Sequence, residues 1–158
     1  MPDRIANVLR SKKSGHIAMV PLCTFIGYGG YVGTPPYELL PPGATAMDVG
    51  ETLLRVLERS GPTGVHIEDA KAHLAELEDA TTRQAKKLCE GSRPTTAGVA
   101  ARSDRWRVEH RHRRKSVTVT PLVYDSGSRT DVDDVEKMVR VALRDGAARL
   151  GECFRSGR

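Results

Sequence analysis

The chain has 158 residues, with 28% charged, 39% hydrophobic and only 4% aromatic. That composition excludes a disordered or fibrous chain and fits one globular domain, 1–158, whose core is built mainly from Leu, Val, Ala and Met. A net charge of +5 and a pI near 9.3 favour acidic partners, whether nucleic acid, an anionic membrane or an acidic protein surface.

No apolar run approaches the ~18 residues of a membrane span. The opening "MPDRIANVLRSKKSG" is basic and lacks an apolar signal core, so the expected location is the cytoplasm. Residues 1–15 read as a short lead ending in a turn at "SKKSG". "HIAMVPLCTFI" (16–26) is a compact apolar run between turn signals, which favours a buried strand. "YVGTPPYELL" is a weaker strand that its prolines confine to an edge or a strand end. Between them, four glycines fall within seven residues (27–33), so a bent hairpin or bulged turn is expected.

"PPGATAMDVGETLLRVLERSG" has the marks of a helix. Thr45 can cap it, Asp48 lies in its first turn, and Gly61-Pro62 ends it. Ala46, Val49, Leu53, Leu54 and Leu57 make one apolar stripe. "VHIEDAKAHLAELEDATTRQAKKLCEG" repeats that logic as a second helix, with Lys86 and Lys87 near its end and Gly91 after it. "SRPTTAGVAARSD" reads as a loop. "RWRVEHRHRRKSVTVTPLVYDSG" reads as two strands joined by "RHRRK". Trp106, Val108, His110 and His112 share one face of the first strand, and Val117, Val119, Pro121 and Val123 one face of the second. "TDVDDVEKMVRVALRDGAARLGECF" follows the helical period through Val132, Val135, Met138, Val139, Ala142, Leu143, Leu150 and Phe154, with Gly146 bending or dividing the helix. "LLRVLER" and "MVRVALR" echo each other, so two β-then-α halves are an option. The expected fold is α/β or α+β: an antiparallel or mixed sheet with about three main helices packed on it.

Motifs that carry chemistry fare poorly. A dinucleotide loop needs glycines at i, i+2 and i+5 before a helix; counting from Gly27, the third position is Val32, and "TPPYELLPP" follows. "HIE" at His66–Glu68 lacks the downstream Pro-Cys-x-x-Cys of zinc deaminases. "DVDD" at Asp131–Asp134 has Glu136 where a calcium loop needs glycine. Cys23, Cys89 and Cys153 are too scattered for a disulfide framework or a zinc site. No cofactor, metal or catalytic residue is therefore assigned. The densest polar cluster is "EHRHRRK", Glu109–Lys115. It admits three readings: a solvated turn, a binding patch for an acidic macromolecule, or acid-base chemistry on RNA through Glu109, His110 and His112.

The order of parts resembles the immunity proteins of bacterial contact-dependent growth inhibition, the CdiI type. The resemblance rests on the glycine/aromatic "GYGGYV" segment, the helix "V-G-x-x-L-L-x-x-L-x-x-S" (Val49–Ser60), and "W-R-V-E-H" leading into "V-T-V-T-P" (Trp106–Pro121). It implies a small cytoplasmic α/β protein without catalysis. Such proteins bind and block the toxic C-terminal domain, often a nuclease, of a cognate secreted protein. Nuclease immunity proteins are often acidic, whereas this chain is basic. Its toxin then presents an acidic surface, or contact runs through a local acidic patch at Asp131–Glu136. On charge density the expected toxin-binding patch is Arg111, Arg113, Arg114 and Lys115, with Arg107 beside them. A basic nucleic-acid-binding domain or a small ribonuclease is the alternative.

Overall fold

The structure, a computed structural model, describes residues 3–34, 37–71, 74 and 101–155. The fold is α+β. Among the described residues one sheet of nine strands forms the body, in the order β3 (Val32–Gly33), β2 (Ile17–Ile26), β1 (Arg4–Ser11), β6 (Ser103–His110), β7 (Ser116–Asp125), β8 (Thr130–Asp133). β1 (Arg4–Ser11) and β2 (Ile17–Ile26) form a hairpin across the expected turn at residues 12–14. β1 also pairs antiparallel with β6 (Ser103–His110), which pairs with β7 (Ser116–Asp125). The N-terminal residues are therefore no lead: they supply a central strand. Ala6 and Val8 on one face are fully buried, and Ile5 on the other is nearly so.

The outer edges are both broken strands. β3 (Val32–Gly33) and β4 (Glu38–Leu40) lie in succession along β2, opposite residues 22–23 and 17–19. β8 (Thr130–Asp133) and β9 (Val139–Ala142) do the same along β7, opposite 122–125 and 116–119. Each break faces a proline. In an antiparallel ladder a residue's N–H and C=O face the same neighbour. Pro21 and Pro121 offer that neighbour a carbonyl but no donor. Thr34 N–H donates to the Pro21 carbonyl at 2.9 Å and Asp134 N–H to that of Pro121 at 2.8 Å. Past each proline the ladder loses a rung, and at 134–138 the edge chain leaves the sheet before rejoining it.

This corrects the expectation of a long C-terminal helix. Residues 130–145 form β8, a 3-10 turn at Val135–Lys137, β9 and a second 3-10 turn at Leu143–Asp145. Of the supposed helical stripe, Leu150 and Phe154 reach the core, while Val132, Val135, Met138, Val139 and Leu143 stay exposed; Val141, outside the stripe, is buried. "VRVA" is a strand because its alternating valines sit on β7's ladder. The "MVRVALR" echo of α1 (Ala46–Glu58) thus falls on a strand and a 3-10 turn, so the chain does not repeat a β-then-α half there. Gly146 (φ 88°) does divide, separating the second 3-10 turn from a short helix, α2 (Ala147–Glu152).

α1 forms as expected. Thr45 and Asp48 make a reciprocal capping box, Asp48 N–H donating to Thr45 Oγ1 at 3.1 Å and Thr45 N–H to Asp48 Oδ2 at 3.3 Å. After its end the chain does not simply turn. Gly61–His66 make β5, parallel to the far end of β2, and Val65 and His66 belong to that strand. The expected second helix starts at Ile67; its continuation from 75, and most of the expected loop after it, lie outside the described residues. Ala101 and Arg102, expected in that loop, are helical.

The main core lies between one sheet face and the two helices. Ala6, Val8, Met19, Val49, Leu53, Val56, Trp106, Val108, Val117 and Phe154 pack in it, Trp106 and Phe154 meeting edge to face at 5.2 Å. α1 and α2 cross where both carry glycine. A Cβ on Gly50 would run into the Ala147 carbonyl, and one on Gly151 into that of Ala46. A smaller cluster, Cys23, Phe25 and Ala70 with Ile67 and Leu74, lies under the glycine-rich end.

Candidate binding site

Side chains alternate across the sheet, so the β6 residues split between its faces. Trp106 and Val108 enter the core, while Arg105, Arg107 and Glu109 point to the second face. On that face Glu109 (β6), Thr118 (β7) and Arg140 (β9) form one row across three strands. Beside the row opens a cleft of about 370 Å³. Ser116, Thr118 and Thr120 line its floor; Arg111 and Arg114 come from the β6–β7 turn, and Val135 and Met138 from the bulge between β8 and β9.

The β6–β7 turn is closed by Arg114 N–H donating to the Arg111 carbonyl at 3.1 Å, with Arg113 in the left-handed region (φ 61°). A His110 ring nitrogen lies 2.9 Å from the Arg114 carbonyl, and His112 N–H donates to Asp3 at 2.8 Å. The expected patch is thereby divided. Arg111 and Arg114 line the cleft. Arg113 and Lys115 are exposed on the turn and do not line it. Arg107 lies on the same face but is paired with Asp133 at 3.2 Å. Arg140 belongs to the cleft and was hidden in the sequence by the helical reading of its segment; the alternation "VRVA" was its only signal.

The cluster read as a possible ribonuclease centre is not brought together. Glu109 and His110 are successive strand residues and face opposite sides, and the His110 ring is engaged by the turn backbone. Three of the acidic groups on the bulge side are also committed. Asp131 pairs with Arg105, Asp133 with Arg107, and Asp134 lies 3.9 Å from Lys137. Burial pushes the Arg105 guanidinium below its usual pKa, against the opposing pull of Asp104. Among the described residues no cluster of His, Cys, Asp and Glu is placed to hold a metal, and no helix is long and apolar enough to cross a membrane.

The glycine cluster is the β2–β3 connection, as its composition implied. Gly27 takes φ 84°, which strains any other residue, and a Cβ there would also crowd the His66 ring at 3.0 Å. Tyr28 and Tyr31 are exposed at the tip. No helix N-terminus follows to receive a phosphate, since α1 begins only at Ala46.

No family model and no curated protein matches the chain. Solved structures do. A protein of unknown function from Neisseria meningitidis superposes with a TM-score of 0.70 at 13% identity, covering 98% of this chain and 93% of that one. A chain of the CdiA-CT/CdiI toxin and immunity complex from Yersinia pseudotuberculosis superposes with a TM-score of 0.67 at 14% identity, covering 98% and 95%. At these identities the likeness establishes a shared fold over nearly the whole length of each chain.

Proposed function

We propose that this chain is a cytoplasmic immunity protein of the CdiI type, which neutralises the C-terminal toxin domain of a contact-dependent growth inhibition effector by one-to-one binding. The observation that carries this reading is the fold shared, end to end, with a chain of a toxin and immunity complex. The second face supports it, because its chemistry is that of recognition: a cleft lined by the arginines Arg111, Arg114 and Arg140 together with the apolar Val135 and Met138. The toxin is proposed to be a nuclease, with an acidic surface turned to the patch around Arg107, Arg111, Arg113, Arg114 and Lys115. Of the two ways a basic chain could meet its toxin, this one is favoured because Asp131 and Asp133 are already held by arginines. Opposite charges would speed the encounter and select the partner more than they add affinity.

The test is co-expression with the toxin domain encoded by the neighbouring gene. A one-to-one complex on size exclusion, and restored growth of cells making the toxin, are expected. If the chain instead binds generic RNA or DNA with a steep salt dependence and retains no protein, the nucleic-acid reading replaces this one.

A further inference from the structure

We infer that the cleft is a carboxylate-binding site in which Arg114 and Arg140 grip an acidic side chain on a loop of the partner protein. This rests on the proposed function for the partner's identity, but the chemistry follows from the cleft itself.

The charges in and beside the cleft are unequally committed. Arg107 is held by Asp133 at 3.2 Å, and the Arg111 Nε lies 3.8 Å from Glu109 Oε2. Among the described residues no ion pair or hydrogen bond engages the Arg114 or Arg140 guanidinium. Two forked donors therefore border one concavity unpaired, because its two carboxylates, Asp133 and Glu109, lie instead beside Arg107 and Arg111. A guanidinium fork matches a carboxylate in plane and spacing, and the hydroxyls of Ser116, Thr118 and Thr120 add neutral donors on the floor.

A phosphodiester would offer similar oxygens, but a nucleic acid brings a row of charges. It needs an extended cationic track with few acids beside it. Here Glu109 and Asp133 line the cleft, and Asp131, Asp134 and Glu136 lie on the adjoining segment. A polyanion would meet that whole acidic border, whereas a single carboxylate faces only Glu109 and Asp133, each already beside an arginine. The exposed Val135 and Met138, which also line the cleft, provide apolar contact for the residue next to that carboxylate, which a sugar-phosphate chain would not use.

The probe is hexaglutamate, compared with a thymidine hexanucleotide, titrated while the arginine Nε–H resonances are followed. Hexaglutamate is expected to bind saturably and move the Arg114 and Arg140 signals, leaving that of Arg129 still. Arg140→Gln should weaken binding at least tenfold. Arg140→Lys, which keeps the charge and loses the fork, should fall between wild type and Arg140→Gln, and Arg129→Gln, exposed in the β7–β8 turn outside the patch, should match wild type. Equal or tighter binding of the oligonucleotide overturns the assignment, as does a response as large at Arg129 as at Arg114 and Arg140, or no binding of hexaglutamate. With a co-purified partner, a complex indifferent to Arg114→Gln/Arg140→Gln rejects the cleft and leaves the proposed function standing. Failure to find any partner, with hexaglutamate still bound, does the reverse.

Discussion

Arg4 and Arg10 sit on the helix-facing side of β1, one near each end. Arg4 donates to the carbonyls of Leu57 and Glu58, at the end of α1. Arg10 donates to those of Phe154 and Arg155, just past α2, and pairs with Asp104 at 3.3 Å. One strand thus supplies both helices with a cation at the end where carbonyls lack partners and the dipole is negative. Hydrogen bonds to charged groups are worth about 1.5–3 kcal/mol, so Arg10→Met should lower unfolding free energy by roughly that amount in urea titration, with exposed Lys12→Met near neutral. A second residue-scale device closes the β7–β8 hairpin. The Ser128 hydroxyl, at 2.7 Å, and then the backbone N–H groups of Gly127 and Ser128 hold the Asp125 carboxyl below its ordinary pKa of 3.8. A depressed folded-state pKa stabilises the fold above the unfolded value. That contribution is lost as pH falls from about 3.8 through the folded value. Ser128→Ala should move the Asp125 midpoint upward, read by carboxyl NMR; an unmoved midpoint would show that the hydroxyl is not the main cause.

At the scale of elements, the glycines of the α1–α2 crossing set a clear competition. Replacing a mid-helix glycine by alanine normally gains about 1 kcal/mol. At Gly50 the new methyl would meet the backbone carbonyl of Ala147, which cannot rotate away. Overpacking of about 1–3 kcal/mol should win, so Gly50→Ala and Gly151→Ala are expected to destabilise, while Gly29→Ala, with open space around it, is expected to be neutral in thermal unfolding. The same scale explains what could be read in advance. α1, β6 and β7 were legible because each carries one period, and β2 because it is a single apolar run bounded by turn signals. β1 was not, since it is buried on both faces and its polar Arg4, Asn7 and Arg10 recur every three residues instead of alternating. β8 and β9 were misread because the five residues between them break the phase of two short strands, and the sum mimics a helical stripe. The site followed suit. Arg111 and Arg114 were visible as charge, but Arg140 reaches the cleft only through a strand pairing that local sequence does not announce.

For the molecule as a whole, the decisive pairing is the most distant one. Ser11 faces Ser103 and Arg4 faces His110, so β1 and β6 meet only after more than half the chain has been made. Folding that waits on such contacts is slow for a domain of this size. It also makes the two ends of the chain structural. Phe154 is fully buried against Trp106 of β6, and its loss to alanine should cost about 3–5 kcal/mol, a large part of the ~5–15 kcal/mol that holds a domain together. Deleting residues 1–11 should do more. It removes the strand that joins β2 to β6, exposes Val8 and Ala6 contacts on both neighbours, and strips the C-terminal caps from both helices at once. Trp106, the chain's one tryptophan, reports directly on the β1–β6 seam, because its partner across the ladder is Val8. A chain beginning at Lys12 should show the red-shifted emission of a solvated indole and no cooperative thermal transition. Native emission from that truncation would mean the sheet closes without β1, and the central place given to that strand would be wrong.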